Sequence, residues 1–207
     1  MRIIKSIFIL SSALILATLA TNSYFSDTAE IENNVFSTGY WTRPKIVINE
    51  VYYDVSPDKG TEPGDEWLEL YNSEDYSVTL KDWTIGDNTT TRTIFANKSI
   101  PAHGFALISK DHSTWSLYWT VPAGVEIIEL GQNIGNGLSN SGDRLILKDK
   151  DGNIIDQMSY GTDNSLLNPP CPDVAEGHSL ERSPVGKDTD VALDFIDQAN
   201  PTPGSGI

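Results

Sequence analysis

A single cysteine, Cys171, among 207 residues excludes an intramolecular disulfide framework and any four-cysteine zinc site. Histidine is nearly as scarce: His103, His112 and His178 are the full set, and none falls in a HExxH or other short metal-ligand spacing. Basic residues are few, with 14 Lys and Arg against 29 Asp and Glu. Both basic residues ahead of the first acidic one, Arg2 and Lys5, precede Asp27, so a chain cut before Asp27 carries a net charge of −17. That balance disfavours a nucleic-acid partner, because sequence-blind affinity for phosphate backbones comes from neutralisation by Lys and Arg. No G-x-S-x-G elbow occurs, and the glycine-rich Gly131–Gly137 (GQNIGNG) has neither the phosphate-loop lysine nor dinucleotide-binding spacing. It reads as a flexible connection between strands. Long apolar runs are absent except one.

That run, Ile7 to Ala20, is IFILSSALILATLA, and it follows a basic start. Its length falls short of the roughly 20 residues a membrane span needs and suits the apolar region of a signal peptide. Thr18 and Ala20, or Thr21 and Ser23, fit the small residues flanking a cleavage site. Contact with a membrane is then transient, through the signal segment alone, and the product is secreted or associated with the cell surface. Just beyond, Tyr24-Phe25-Ser26-Asp27 and Asn33-Asn34-Val35-Phe36-Ser37-Thr38-Gly39 resemble the leader of camelysin-like and matrix-fibre proteins. Such leaders go to a dedicated signal peptidase of bacteria that export to their surface. The organisation read from the sequence is a signal peptide over 1–23, an acidic linker over 24–44 and one folded domain over 45–207.

The domain is patterned as strands and turns. Candidate strands are Lys45–Tyr53, Glu66–Tyr71, Tyr76–Leu80, Trp83–Ile85, Arg92–Phe95, Phe105–Ser109, Val125–Leu130, Arg144–Lys148 and Ile154–Tyr160. Short β-branched and aromatic runs between Gly, Pro, Asn and Asp clusters describe an all-β sandwich or barrel. Arg144–Lys148 and Asn153–Asp156 read as a hairpin through Asp149-Lys-Asp-Gly152, with Gly152 supplying the positive φ of a tight turn. Trp115, Tyr118 and Trp119 lie at i, i+3 and i+4 and predict one short helical turn over Asp111–Tyr118 that packs aromatics onto the sheet edge. Leu68 and Leu70 point to the core, with Glu66 and Glu69 left to solvent or a loop amide. Asn72 suits the cap of the turn that follows.

Seven motifs in order resemble the lamin tail domain family. They are Val47-Ile-Asn-Glu-Val51, Asp65-Glu-Trp-Leu-Glu-Leu-Tyr-Asn72, Leu80-Lys-Asp-Trp-Thr-Ile85, Ile100-Pro-Ala-His-Gly-Phe-Ala-Leu107, Leu138-Ser-Asn-Ser-Gly-Asp-Arg-Leu-Ile-Leu147, Gly177-His-Ser-Leu-Glu-Arg-Ser-Pro184 and Asn200-Pro-Thr-Pro-Gly204. The resemblance implies an immunoglobulin-like antiparallel β-sandwich across 45–207, preceded by the signal peptide and short linker. It also implies an exported binding module with no catalytic centre.

Carboxylates are the one constellation with chemical potential. Asp54, Asp58, Asp65 and Glu66 surround the loop Ser56–Gly64 and could supply hard oxygen ligands to Ca²⁺. Asp149, Asp151 and Asn153 start like a calcium loop, but Tyr160 stands where the twelfth-position Glu belongs, so a plain hairpin is expected there. Three functions follow. The first is a non-enzymatic module that binds a surface protein or polymer, needing no cofactor. The second is a structural subunit of an extracellular matrix, and the third is a calcium-dependent hydrolase. Exposed members of the set Trp41, Trp67, Trp83, Trp115 and Trp119 would serve the first as a stacking surface.

Overall fold

The computed structural model describes residues 43–207. The expected signal peptide, its cleavage site, the leader motifs, Trp41 and most of the linker lie outside the described residues.

Alternation of apolar and polar side chains drives the domain into two packed sheets. The larger is built from β1 (Ile46–Tyr52), β2 (Trp67–Asn72), β7 (Phe105–Ser109), β8 (Glu126–Glu129), β11 (Ser179–Arg182) and β12 (Phe195–Gln198), in the order β12-β11-β1-β2-β7-β8. The smaller holds β4 (Thr84–Gly86), β5 (Thr91–Thr93), β9 (Arg144–Lys148) and β10 (Ile154–Ser159), in the order β10-β9-β4-β5. A two-stranded ribbon, β3 (Val78–Thr79) with β6 (Ser99–Ile100), closes one side. Between the sheets lie Ile46, Ile48, Leu68, Leu70, Ala106 and Ile108 from one layer and Ile85, Leu145, Leu147 and Met158 from the other. Each Ile, Leu or Met side chain so removed from water contributes about 1.5–3 kcal/mol before entropy is counted. Tyr53 and Tyr160 stack at 4.1 Å inside this core.

These layers form the immunoglobulin-like β-sandwich that the sequence indicates, with one difference. Strand β8 runs parallel to β7, although every other pairing within the sheets is antiparallel. The parallel pair is possible because residues 110–125 cross over the sheet instead of turning tightly, as a parallel connection requires. Within that crossover sits α1 (His112–Trp115), one turn capped by the Asp111 carboxylate, which accepts from the Ser113 N–H at 2.8 Å. The β9–β10 hairpin is present, with Gly152 at φ +82°. Strands β6, β11 and β12 were not among the sequence candidates.

A slip in register between Ile48 and Glu50 bulges β1 at Asn49 and decides which side chains face which way. Ile46 and Ile48 point into the sandwich ahead of it, and Val51 and Tyr53 do so after it, leaving Glu50 and Tyr52 on the opposite face. The larger sheet therefore has a second, outer face that is also covered. Trp115 and Trp119 fold onto Tyr52, Trp67 and Leu107 there, so the predicted aromatic turn seals a face and not merely an edge.

Candidate functional site

The predicted acidic loop divides into separate structural duties. Glu66 is buried, and both carboxylate oxygens accept the Leu138 N–H, at 3.0 and 3.1 Å. Asp65 is buried as well, and its Oδ2 accepts the Thr61 N–H at 2.8 Å, closing the turn ahead of β2. Asp54 accepts from Asn140 Nδ2 at 3.1 Å, while Asp58 is exposed. The carboxylate actually brought to Asp54 is Glu62, which the sequence reading did not select. Asn140 Nδ2 bridges the two, and Glu62 also accepts the Val55 N–H at 2.9 Å. Partial burial and then the Glu62 charge raise the Asp54 pKa. Among the described residues, no three Asp, Glu, His or Cys side chains are grouped to hold a metal ion. Asp54 and Glu66 both reach the 138–140 loop, through Asn140 and Leu138, while Asp65 closes its own turn and Asp58 stays in solvent.

The other titratable candidates are likewise occupied. His103 pairs with Asp75 at 2.9 Å and His178 with Asp197 at 2.7 Å, both near solvent, and the His112 ring stacks against Trp115 at 5.5 Å. Cys171 is buried, and that burial pushes its thiol up to about 12, far from the thiolate a nucleophile needs. The Gly131–Gly137 segment is tied down, which corrects its reading as a flexible connection. Arg92 Nε donates to the Asn133 and Gly135 carbonyls at 3.1 and 2.9 Å, and the Asn136 N–H donates to Asp87 at 2.7 Å.

The outer face of the larger sheet carries the most unusual grouping. Glu69 and Glu66 were expected at solvent or a loop amide, and the amide alternative holds for both. Glu69 stands directly opposite Glu50, which stands directly opposite Glu181, a row of three carboxylates across β2, β1 and β11. All three are fully buried. Like charges directly opposed on a sheet repel, and burial pushes Glu50 up to about 8 and Glu69 up to about 9. The C-terminal segment Asn200–Ile207 lies over them.

Beside β12 an open groove of about 470 Å³ is walled by Pro169, Pro170, Pro172, Val191, Leu193 and Phe195. Leu193 is 84% exposed and Val191 is 45% exposed, unusual for branched aliphatics on a chain this acidic. Of the described tryptophans, Trp67, Trp83 and Trp115 are buried and Trp119 is half-buried, its ring beneath the Lys59 ammonium at 4.7 Å. No helix of the described residues is long and apolar enough to cross a membrane.

A family model described as Lamin Tail Domain matches residues 42–162. The Gly177–Pro184 and Asn200–Gly204 motifs stand beyond that span, yet they form β11 and the covering segment of the same sheet. Among solved structures, the chain is similar to a DUF4876 family protein from Bacteroides thetaiotaomicron VPI-5482. The two share 13% sequence identity and a TM-score of 0.50, over 77% of this chain and 72% of that one. That likeness is one of fold. No curated protein matches.

Proposed function

The chain belongs to the lamin tail domain family, and from that premise we propose that it serves as an exported, non-enzymatic binding module of the cell surface or extracellular space. The observation carrying this reading is the open apolar groove of Val191, Leu193 and Phe195 beside the Pro169–Pro172 loop. A solvated apolar wall costs stability in an isolated domain and gains value when a partner covers it. The export half of the proposal rests on the basic start and the apolar run Ile7–Ala20. The non-enzymatic half is supported by Glu66 and Asp65 accepting backbone N–H groups of the fold and by the burial that keeps the Cys171 thiol from ionising. The partner is a surface protein or polymer that presents apolar groups.

Purified protein incubated with solubilised surface components of its host should retain one saturable partner. Leu193→Asp should cut that retention at least tenfold with an unchanged melting temperature, since Leu193 is almost wholly in water. Undiminished retention by the variant would remove the groove from the account, and absence of any saturable partner would remove the binding reading. Growth of filaments with protein concentration, which the unpaired edge of β12 permits, would favour the matrix-subunit alternative.

A further inference from the structure

Three backbone N–H groups of the C-terminal segment are each donated to a different member of the glutamate row. The Thr202 N–H goes to Glu50 at 3.0 Å, the Gly204 N–H to Glu69 at 2.5 Å and the Ile207 N–H to Glu181 at 3.1 Å. Pro201 and Pro203, between the donors, have no N–H to leave unsatisfied. Gly204 sits at φ +87°, and a Cβ there would lie 2.8 Å from Pro122 and 2.9 Å from Val125, so the segment is pressed against the crossover that covers the rest of the face. The row's remaining partners are uncharged: Ser179 Oγ and Thr202 Oγ1 on Glu50, Asn49 Nδ2 on Glu69, and Gln198 Nε2 and Thr202 Oγ1 on Glu181. No lysine, arginine or histidine among the described residues pairs with any of the three. The charges acting on Glu50 and Glu69 come from the row itself: Glu181 on Glu50, and Glu50 and Glu181 on Glu69.

We infer that residues 200–207 form a strap whose closure is governed by protons on the facing Glu50 and Glu69 carboxyls. Protonated, the two have lone pairs for the strap's N–H groups and no mutual repulsion. Ionised, they place two negative charges side by side in a dry layer without a cation. The arrangement relaxes most simply by lifting the strap, because water then reaches the carboxylates while both sheets stay paired. The strap is a separate device from the apolar groove and stands whether or not the groove binds a partner.

Methyl NMR of the whole protein across pH 6 to 10 tests this, with carboxyl-carbon shifts of the three glutamates recorded on the same sample. The Thr202 and Ile207 methyl resonances should move from native to random-coil positions with a midpoint near pH 8 to 9, set by the values for Glu50 and Glu69. Ile48 and Leu70, in the sandwich core, should keep their native shifts. Glu50→Gln with Glu69→Gln keeps one acceptor oxygen at each position for the strap's N–H and cannot ionise, so its strap should stay closed at pH 10. If the double variant fails to fold, Glu69→Gln alone should raise the opening midpoint. Strap methyls that stay native while the carboxyls ionise would overturn the inference, as would ionisation near 4.5 or opening of the glutamine variants at the wild-type pH.

Discussion

Arg182 shows how a buried charge is made tolerable in this domain. It is 2% exposed, and its guanidinium donates to the Ile48 carbonyl at 2.9 Å, to the Lys187 carbonyl at 2.6 Å and to both Asp156 oxygens at 2.9 and 3.1 Å. Its plane also lies 4.5 Å from the Phe195 ring centroid. Asp156 in turn accepts the Ile48 N–H at 2.7 Å, so one ion pair ties β10 to β1 and β11 across the two sheets. Burial pushes Asp156 up to about 6 despite the Arg182 charge, so the pair's worth lies in its geometry more than in net attraction. Asp156→Ala strands the arginine and should cost about 3–5 kcal/mol in chemical denaturation; a loss under 1 kcal/mol would show that water reaches the site. Gly135 is a second pressure point. It sits at φ +55°, and a Cβ there would fall 1.9 Å from Asp87 Oδ2. Gly135→Ala should therefore cost more than about 1 kcal/mol, measured the same way.

Among the elements, those whose side chains alternate are legible in the sequence. Strand β7 coincides with its predicted span and β9 does too, because Leu145 and Leu147 alternate with polar neighbours. Strand β11 was hidden because Ser179, Glu181 and Arg182 read as surface residues, yet all three are buried by what packs on them: the strap, Glu50 and Asp156. Strand β12 has four residues and β6 two, too short for periodicity to register. The helical turn was readable from its aromatic spacing, but the surface it covers was not, since Tyr52 and Trp67 come from strands far away in sequence. Trp115→Ala should cost about 3–5 kcal/mol. It should also increase proteolytic cleavage within 110–125; uncleaved variant protein would mean the crossover holds without its anchor.

For the molecule as a whole, three buried glutamates set the pH response. Glu50, Glu66 and Glu69 keep their protons in the fold to about pH 8, 8 and 9, against an ordinary value of 4.5. Between those limits the folded chain binds more protons than the unfolded one, so stability is greatest at the acid side and falls as pH rises through 8 to 9. The melting temperature should drop from pH 6 to about pH 9 and level off above it; a flat profile would mean the three already ionise in the fold. Calcium should leave the melting temperature unchanged, because Asp65 and Glu66 already serve backbone N–H groups. A rise with calcium would require a native-state site and would restore the predicted acidic loop.

Composition and periodicity alone determined that this chain buries alternating strands in a sandwich or barrel, and its motif order, by resemblance to lamin tail domains, chose the sandwich, because period-two patterns and turn residues are local properties of the chain. Only the tertiary structure decided what its acidic residues do. The bulge at Asn49 turns Glu50 to the outer face, and strands distant in sequence bring Glu69 and Glu181 beside it. Whether a carboxylate is a ligand, a solvated charge or a clasp depends on which groups surround it, and those groups are supplied by segments more than a hundred residues apart.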